Sequence, residues 1–184
     1  MKKERIRKNS FESIDFNCIM RIKALKLILY LLIFFSFSSY AATLTGKVIR
    51  VSDGDTIVVL EGITQHKIRL VGIDAPEKKQ AFGNKSKETL ADAVAGKTVD
   101  VDYNKRDRYK RIIGKVIYRG QDMNLRQVQM GMAWHYKQYE REQDVEDRSR
   151  YAQAEYLAQR DRAGLWSDKA PVPPWEFRKK PLEK

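Results

Sequence analysis

Cysteine and histidine are almost missing from this chain of 184 residues, which holds one Cys, Cys18, and two His, His66 and His135. A lone thiol closes no internal disulfide, and zinc sites built on thiolates are excluded with it. The two histidines lack metal-like spacing and are expected to be solvated or simply packed. Ten Gly and five Pro are few, and with 42% hydrophobic residues there is apolar material for one compact domain but not for two. The apolar run from Leu27 to Phe35 falls short of the roughly 20 residues that span a bilayer. No internal repeat is visible. Acidic residues are in deficit, 24 against 36 Lys and Arg, and the net charge of +12 favours an anionic partner, nucleic acid or anionic lipid.

Part of that charge lies in a segment with an export pattern. Arg21, Lys23 and Lys26 lead into the apolar run, which ends in Ser39-Tyr40-Ala41, so residues 1–41 read as a signal peptide cut after Ala41. An uncleaved anchor is the competing reading. The polar stretch before Met20 exceeds what a signal needs, which makes Met20 an alternative start. Removing residues 1–41 leaves 28 basic against 21 acidic groups, a net +7, and takes away Cys18. The mature protein, expected in the periplasm or secreted and without stable membrane insertion, would be held by its core alone. A domain over 42–168 is expected, followed by a Pro-rich basic tail, 169–184.

Strand patterning begins at Thr43. Alternation predicts strands over Thr43–Ser52, Thr56–Leu60 and His66–Gly72, joined by the turn signals Asp53-Gly54 and Glu61-Gly62. In the third, Ile68 and Leu70 point inward and Arg69 projects from the opposite face. Leu90, Ala91, Val94 and Ala95 mark a helix that Gly96 stops. Two more strands follow, around Val99–Tyr103 and Ile112–Tyr118, on either side of the basic loop Lys105–Arg111. Asn124 is expected to cap a helix carrying Leu125, Val128 and Met132. A charged helix is predicted over Val145–Ala163, and its narrow stripe, Ala154, Leu157 and Ala158, places it on the surface. The tail PVPPWEFRKK has too many prolines for regular structure. Five strands with interleaved helices are compatible with a partly open Greek-key barrel of the OB type. Periodicity alone does not select it over other small α+β folds.

The chemistry concentrates between Asp53 and Glu77. Asp53, Asp55, Asp74 and Glu77 gather at the two ends of a hairpin with Arg69 between them, and carboxylates so placed suggest a site for a hard cation. Asp53 and Asp55 taken by themselves are equally well read as the start of an Asp-Gly turn.

Four stretches in order, Val51-Ser52-Asp53-Gly54-Asp55-Thr56, Arg69–Glu77 (RLVGIDAPE), Asp107-Arg108-Tyr109-Lys110-Arg111 and Gly164-Leu165-Trp166, resemble the staphylococcal nuclease-like, or thermonuclease, family. The likeness runs from about Thr43 to Trp166. It implies a mainly β, α+β fold, a five-stranded OB-type Greek-key barrel with about three helices. It also implies Ca²⁺ held by Asp55, Asp74 and the backbone carbonyl of Ala75, all hard oxygen donors. By the same resemblance Glu77 acts as general base or positions the attacking water, and Arg69 and Arg111 bind the scissile phosphate. Arg108 and Tyr109 are expected at a phosphate, and Tyr136 and Tyr139, with Trp134 as a competitor, at a base. Lys110 stands where the family commonly has glycine, and the loop after Glu77 is shorter than in its best-known member.

The activity so implied is that of an exported, monomeric, Ca²⁺-dependent nuclease that cleaves DNA and RNA, single strands favoured, and leaves 3′-phosphorylated products. A non-catalytic OB module that only binds nucleic acid is the alternative from another class. A surface-anchored interaction domain is a third.

Overall fold

The structure, a computed structural model, describes residues 42–179 and the positions 20, 21 and 23. The expected signal segment and its cleavage point after Ala41 lie outside the described residues, as does the tail beyond Lys179. Among the described residues no helix is long and apolar enough to cross a membrane.

Alternation of apolar with polar residues builds β1 (Ala42–Asp53), β3 (Thr64–Leu70), β5 (Thr98–Arg106) and β6 (Ile112–Tyr118), while the continuous buried run Thr56 to Val59 begins β2 (Thr56–Glu61). They run in the order β3-β2-β1-β5-β6, and a parallel pairing of β3 with β6 closes the sheet into a five-stranded barrel. Two bulges, between Val48 and Arg50 and between Val51 and Asp53, bend β1. The first half of this long strand pairs with β5 and the second with β2. The barrel core gathers Val48, Ile57, Val59, Ile68, Leu70, Val101, Ile112 and Val116, none more than 1% exposed. The mainly β, OB-type barrel expected from the sequence is the fold observed.

Four helices attach to it: α1 (Gly83–Val94), α2 (Met123–Gln129), α3 (Val145–Arg160) and α4 (Pro174–Phe177). Leu90 and Val94 of α1 and Leu125 and Val128 of α2 close one end of the core. The described residues also include three strands of two residues each, β4 (Ile73–Asp74), β7 (Gln121–Asp122) and β8 (Trp134–His135), and two short 3₁₀ helices, Lys137–Glu142 and Gly164–Ser167. β4 pairs only with β8, antiparallel, so the chain around Asp74 lies beside the chain around Trp134.

Three local expectations are corrected. The cap of α2 is Asp122, whose carboxylate accepts from the Leu125 amide at 3.0 Å. Asn124 is instead buried and pins the barrel, donating to the carbonyls of Val71 and Gly114 and accepting from the Val116 amide. Helix α3 is not a surface helix, because Tyr151, Asp147 and Glu155 are buried along with Ala154 and Ala158. Its polar residues are partnered there: Asp147 by Lys115, and Glu155 by Lys137 and the His135 amide. Lastly, the proline-rich tail does form a helical turn, α4. Pro174 sits at its start, the one helical position where a missing amide costs nothing.

Candidate active site

The hairpin of β2 and β3 sets the first two groups against each other. Thr56 lies opposite Arg69, and the Leu70 amide donates to the Asp55 carbonyl at 2.8 Å, so Asp55 enters β2 where Arg69 leaves β3. Asp55 is 6% exposed. One of its carboxylate oxygens accepts from Thr56 Oγ1 at 3.0 Å, and the other from the Ala75 amide at 2.6 Å. The preceding turn is braced from below, where buried Gln127 donates through Nε2 to the carbonyls of Gly54 (2.8 Å) and Ser86 (3.1 Å). Gly54 is needed for space rather than for its backbone angles, since a Cβ there would run into the Ser86 side chain.

Asp74 comes from β4 and is almost wholly buried. Arg69 joins the two carboxylates: Nη2 donates to Asp74 Oδ1 at 2.7 Å and Nη1 lies against Asp55 Oδ2. A second guanidinium approaches Asp74 from the far end of the chain. Arg178 Nη2 meets Asp74 Oδ2 at 2.8 Å, and its Nη1 meets Glu77 Oε1 at 2.8 Å. Glu77, in the turn after β4, has its amide held by Gln80 Oε1 at 3.1 Å and its side chain 41% exposed.

The electrostatics follow from this crowding. Burial raises the pKa of Asp74, and Arg178 and Arg69 offset that only in part. Burial and the neighbouring Asp55 charge push Asp53 up to about 6. For Arg69, burial works to lower the pKa, but Asp55 and Asp74 outweigh it and hold the group above the usual arginine value. The guanidinium therefore stays charged inside the protein.

Arg111 immediately precedes β6, two residues before Ile113, the partner of Arg69 in the parallel pairing. It does not bond the carboxylate cluster. Its Nε and amide are bound by Asp107, at 2.7 and 2.9 Å, which fixes the guanidinium by one edge, 5.5 Å from the Tyr109 ring centre. Burial would raise Asp107, but the bonds from Arg111 prevail and keep it below the usual carboxylate range. Arg108 and Tyr109 are exposed at the loop tip, the Arg108 guanidinium 4.8 Å from the Tyr109 ring centre.

The aromatic candidates converge from another direction. The Tyr136 amide donates to the Gly72 carbonyl at 2.9 Å, which continues the β4–β8 contact and sets Tyr136 beside Asp74. Tyr139 packs at 5.1 Å from Tyr136 and is 45% exposed. Trp134 turns to Trp166, 4.2 Å between ring centres, as part of a small second core with Ala158 and Leu165.

A model of the family described as staphylococcal nuclease homologue matches residues 67–168. An uncharacterized endonuclease of Escherichia coli is 45% identical over 155 residues, 83% of this chain and 97% of that protein. The chain belongs to the staphylococcal nuclease homologue family. An uncharacterized endonuclease of Haemophilus influenzae is also 45% identical, over 136 residues and 73% of each chain. A micrococcal nuclease of Shigella flexneri is 39% identical over 148 residues, 75% of this chain and 82% of that one. Membership sets the chain among nuclease-type hydrolases, whose substrates are nucleic acids.

The donor set can be weighed against the cation that this nuclease family implies. Among the described residues, no group of three His, Cys, Asp or Glu side chains is arranged to hold a metal. The expected set does not need one, since it has two carboxylates and a carbonyl and leaves the rest of the coordination to water and phosphate. Two guanidinium ions drawn onto Asp74 show a strong local demand for positive charge. The residues fit a hard divalent cation. Arg178 and the bracing pair Gln127 and Ser86 went unnoticed in the sequence. A glutamine or serine carries no signal of burial, and Arg178 lies in a basic run that reads as solvated.

Proposed function

We propose that this nuclease is an exported, Ca²⁺-dependent phosphodiesterase that hydrolyses both DNA and RNA, favours single strands and acts as a monomer. The observation that carries the reading is Arg69 shared between Asp55 and Asp74, with Glu77 beside them and open to solvent. Asp55, Asp74 and the Ala75 carbonyl would hold the Ca²⁺, which when bound neutralises charge on a phosphoryl oxygen. Glu77 has no covalent role. It orients a water and takes its proton as the water oxygen bonds to phosphorus and the P–O5′ bond breaks. The 5′ oxygen collects a proton from solvent, and a 3′-phosphate remains on the other product. Arg69 and Arg111 donate N–H groups to the phosphoryl oxygens as their charge grows, Arg111 being pre-aimed by Asp107. Arg108 and Tyr109 extend the contact along the backbone, and Tyr136 and Tyr139 offer ring faces to a base.

Purified protein lacking residues 1–41 should digest single-stranded DNA and RNA with Ca²⁺ and stop when the ion is chelated. Glu77→Gln and Arg111→Ala should each lower kcat by about 10²-fold or more, with the fold retained, since donors and bases acting on a transition state are worth several kcal/mol. Full activity of Glu77→Gln, or of wild type in chelator, rejects the mechanism. Binding without cleavage would instead support the non-catalytic module. N-terminal sequencing of exported protein, expected to begin at Ala42, tests the signal.

A further inference from the structure

Residues 172–179 lie beyond the stretch that matches the family, yet they end inside the site. Three contacts bring them there. Gln80 holds both partners with one side chain, its Oε1 accepting from the Glu77 amide at 3.1 Å and its Nε2 donating to the Val172 carbonyl. Trp175 lies flat on Tyr136, ring centres 5.2 Å apart and planes 17° apart, with its edge toward Trp134. Helix α4 then closes on the Arg178 amide, which donates to the Pro174 carbonyl at 3.0 Å. This anchored turn delivers the Arg178 guanidinium to both oxygens of Asp74, at 2.8 and 3.3 Å, and to Glu77 at 2.8 Å. The side chain is still 44% exposed, so its outer edge faces the solvent from which a substrate arrives.

The charge balance gives this arrangement a purpose. Asp55, Asp74 and Glu77 carry three negative charges against two positive ones on Arg69 and Arg178. A divalent cation adds two positive charges beside this group, and Arg178 adds one more where a phosphodiester anion would lie. A cation on Asp74 also needs an oxygen that Arg178 now occupies, and the guanidinium must swing off it. Trp175 and Gln80 hold the segment in place, so a guanidinium displaced from Asp74 stays within a side chain's reach of Asp74 and Glu77.

We infer that Arg178 is a third phosphate-binding side chain of the nuclease, resting on Asp74 and Glu77 until cation and substrate displace it. The inference rests on the proposed site of Asp55, Asp74 and Glu77. Arg178→Ala and Arg178→Lys in the otherwise intact mature chain test it, with thermal melting to show that each folds. In the absence of nucleic acid, Arg178→Ala should bind Ca²⁺ several-fold more tightly by calorimetry, because a competing cation is gone. A phosphorothioate single strand that resists cleavage should bind the variant about tenfold more weakly in Ca²⁺. The slope of log affinity against log salt should fall by about 0.7, the share of one phosphate contact on a single strand. Cleavage should drop in kcat/KM by tenfold or more, and Arg178→Lys should recover part of both losses. Unchanged strand affinity and slope would overturn the proposal, and so would faster cleavage by Arg178→Ala, which would make the segment a plug. A wild type that binds the strand but never cleaves would reject the nuclease mechanism instead, with the affinity and slope arms still deciding the role of Arg178.

Discussion

Arg69 shows how much one side chain can be asked to do. Its guanidinium pairs with Asp55 and Asp74 at short range, so removing it leaves two buried carboxylates facing each other. Asp53 lacks such a partner. Its raised pKa, about 6 against 3.8, means that the folded state binds a proton more tightly than the unfolded chain. Its stability contribution is therefore lost as pH rises from about 4 through 6. Asp53→Asn, which can still accept from the Asp55 amide, should stabilise the metal-free protein by on the order of 2 kcal/mol at pH 7 and by almost nothing at pH 4. Urea titrations in chelator at the two pH values measure it. Lys110 is a second local cost, because it sits at φ 63° in the turn that positions Arg111, which explains why glycine is common there. Lys110→Gly should raise stability by up to about 1 kcal/mol in the same titration, after the looser unfolded chain is allowed for.

At the scale of elements, the hairpin of β2 and β3 is readable because strand patterning and turn residues are local properties, and the two clusters of carboxylates flank it in sequence. The β4–β8 contact is not. Two-residue strands have no periodicity, and Asp74 meets Trp134 only through the folded backbone. For α3 the apolar stripe looked narrow because Asp147, Tyr151 and Glu155 are buried by partners from other elements, and nothing in the helix's own sequence announces Lys115 or the His135 amide. Both Asp122 and Asn124 are capping types, and only burial decides between them. The motif Gly164-Leu165-Trp166 has a physical reason that sequence could not supply. Gly164 has φ 53°, and a Cβ there would run into the carbonyls of Gly131 and Met130, leaving no room for a side chain. The brace under Asp55 makes a prediction of its own. Gln127→Ala strips the carbonyls of Gly54 and Ser86 of their donor and should cost about 1–3 kcal/mol in stability. It should also weaken Ca²⁺ binding, measurable by calorimetry, although Gln127 touches neither ion nor substrate.

For the whole molecule, the excess of positive charge, +7 once residues 1–41 are removed, accounts for attraction to a polyanion but does not say where it binds. The barrel closes β3 on β6 and so sets the Arg111 loop beside the strand of Arg69, where the proposed site lies. If Arg69, Arg111 and Arg178 each meet a phosphate, single-strand affinity should fall roughly twentyfold between 50 and 200 mM salt, a dependence that filter binding in Ca²⁺ can follow. The closure has a further consequence in time. A growing chain that has only reached Arg106 already carries Asp55, Arg69, Asp74 and Glu77, but it has no β6 to close the barrel and no Arg111. The two sides of the candidate site can therefore meet only after the last barrel strand has been synthesised, so the site is assembled late in the life of the growing chain.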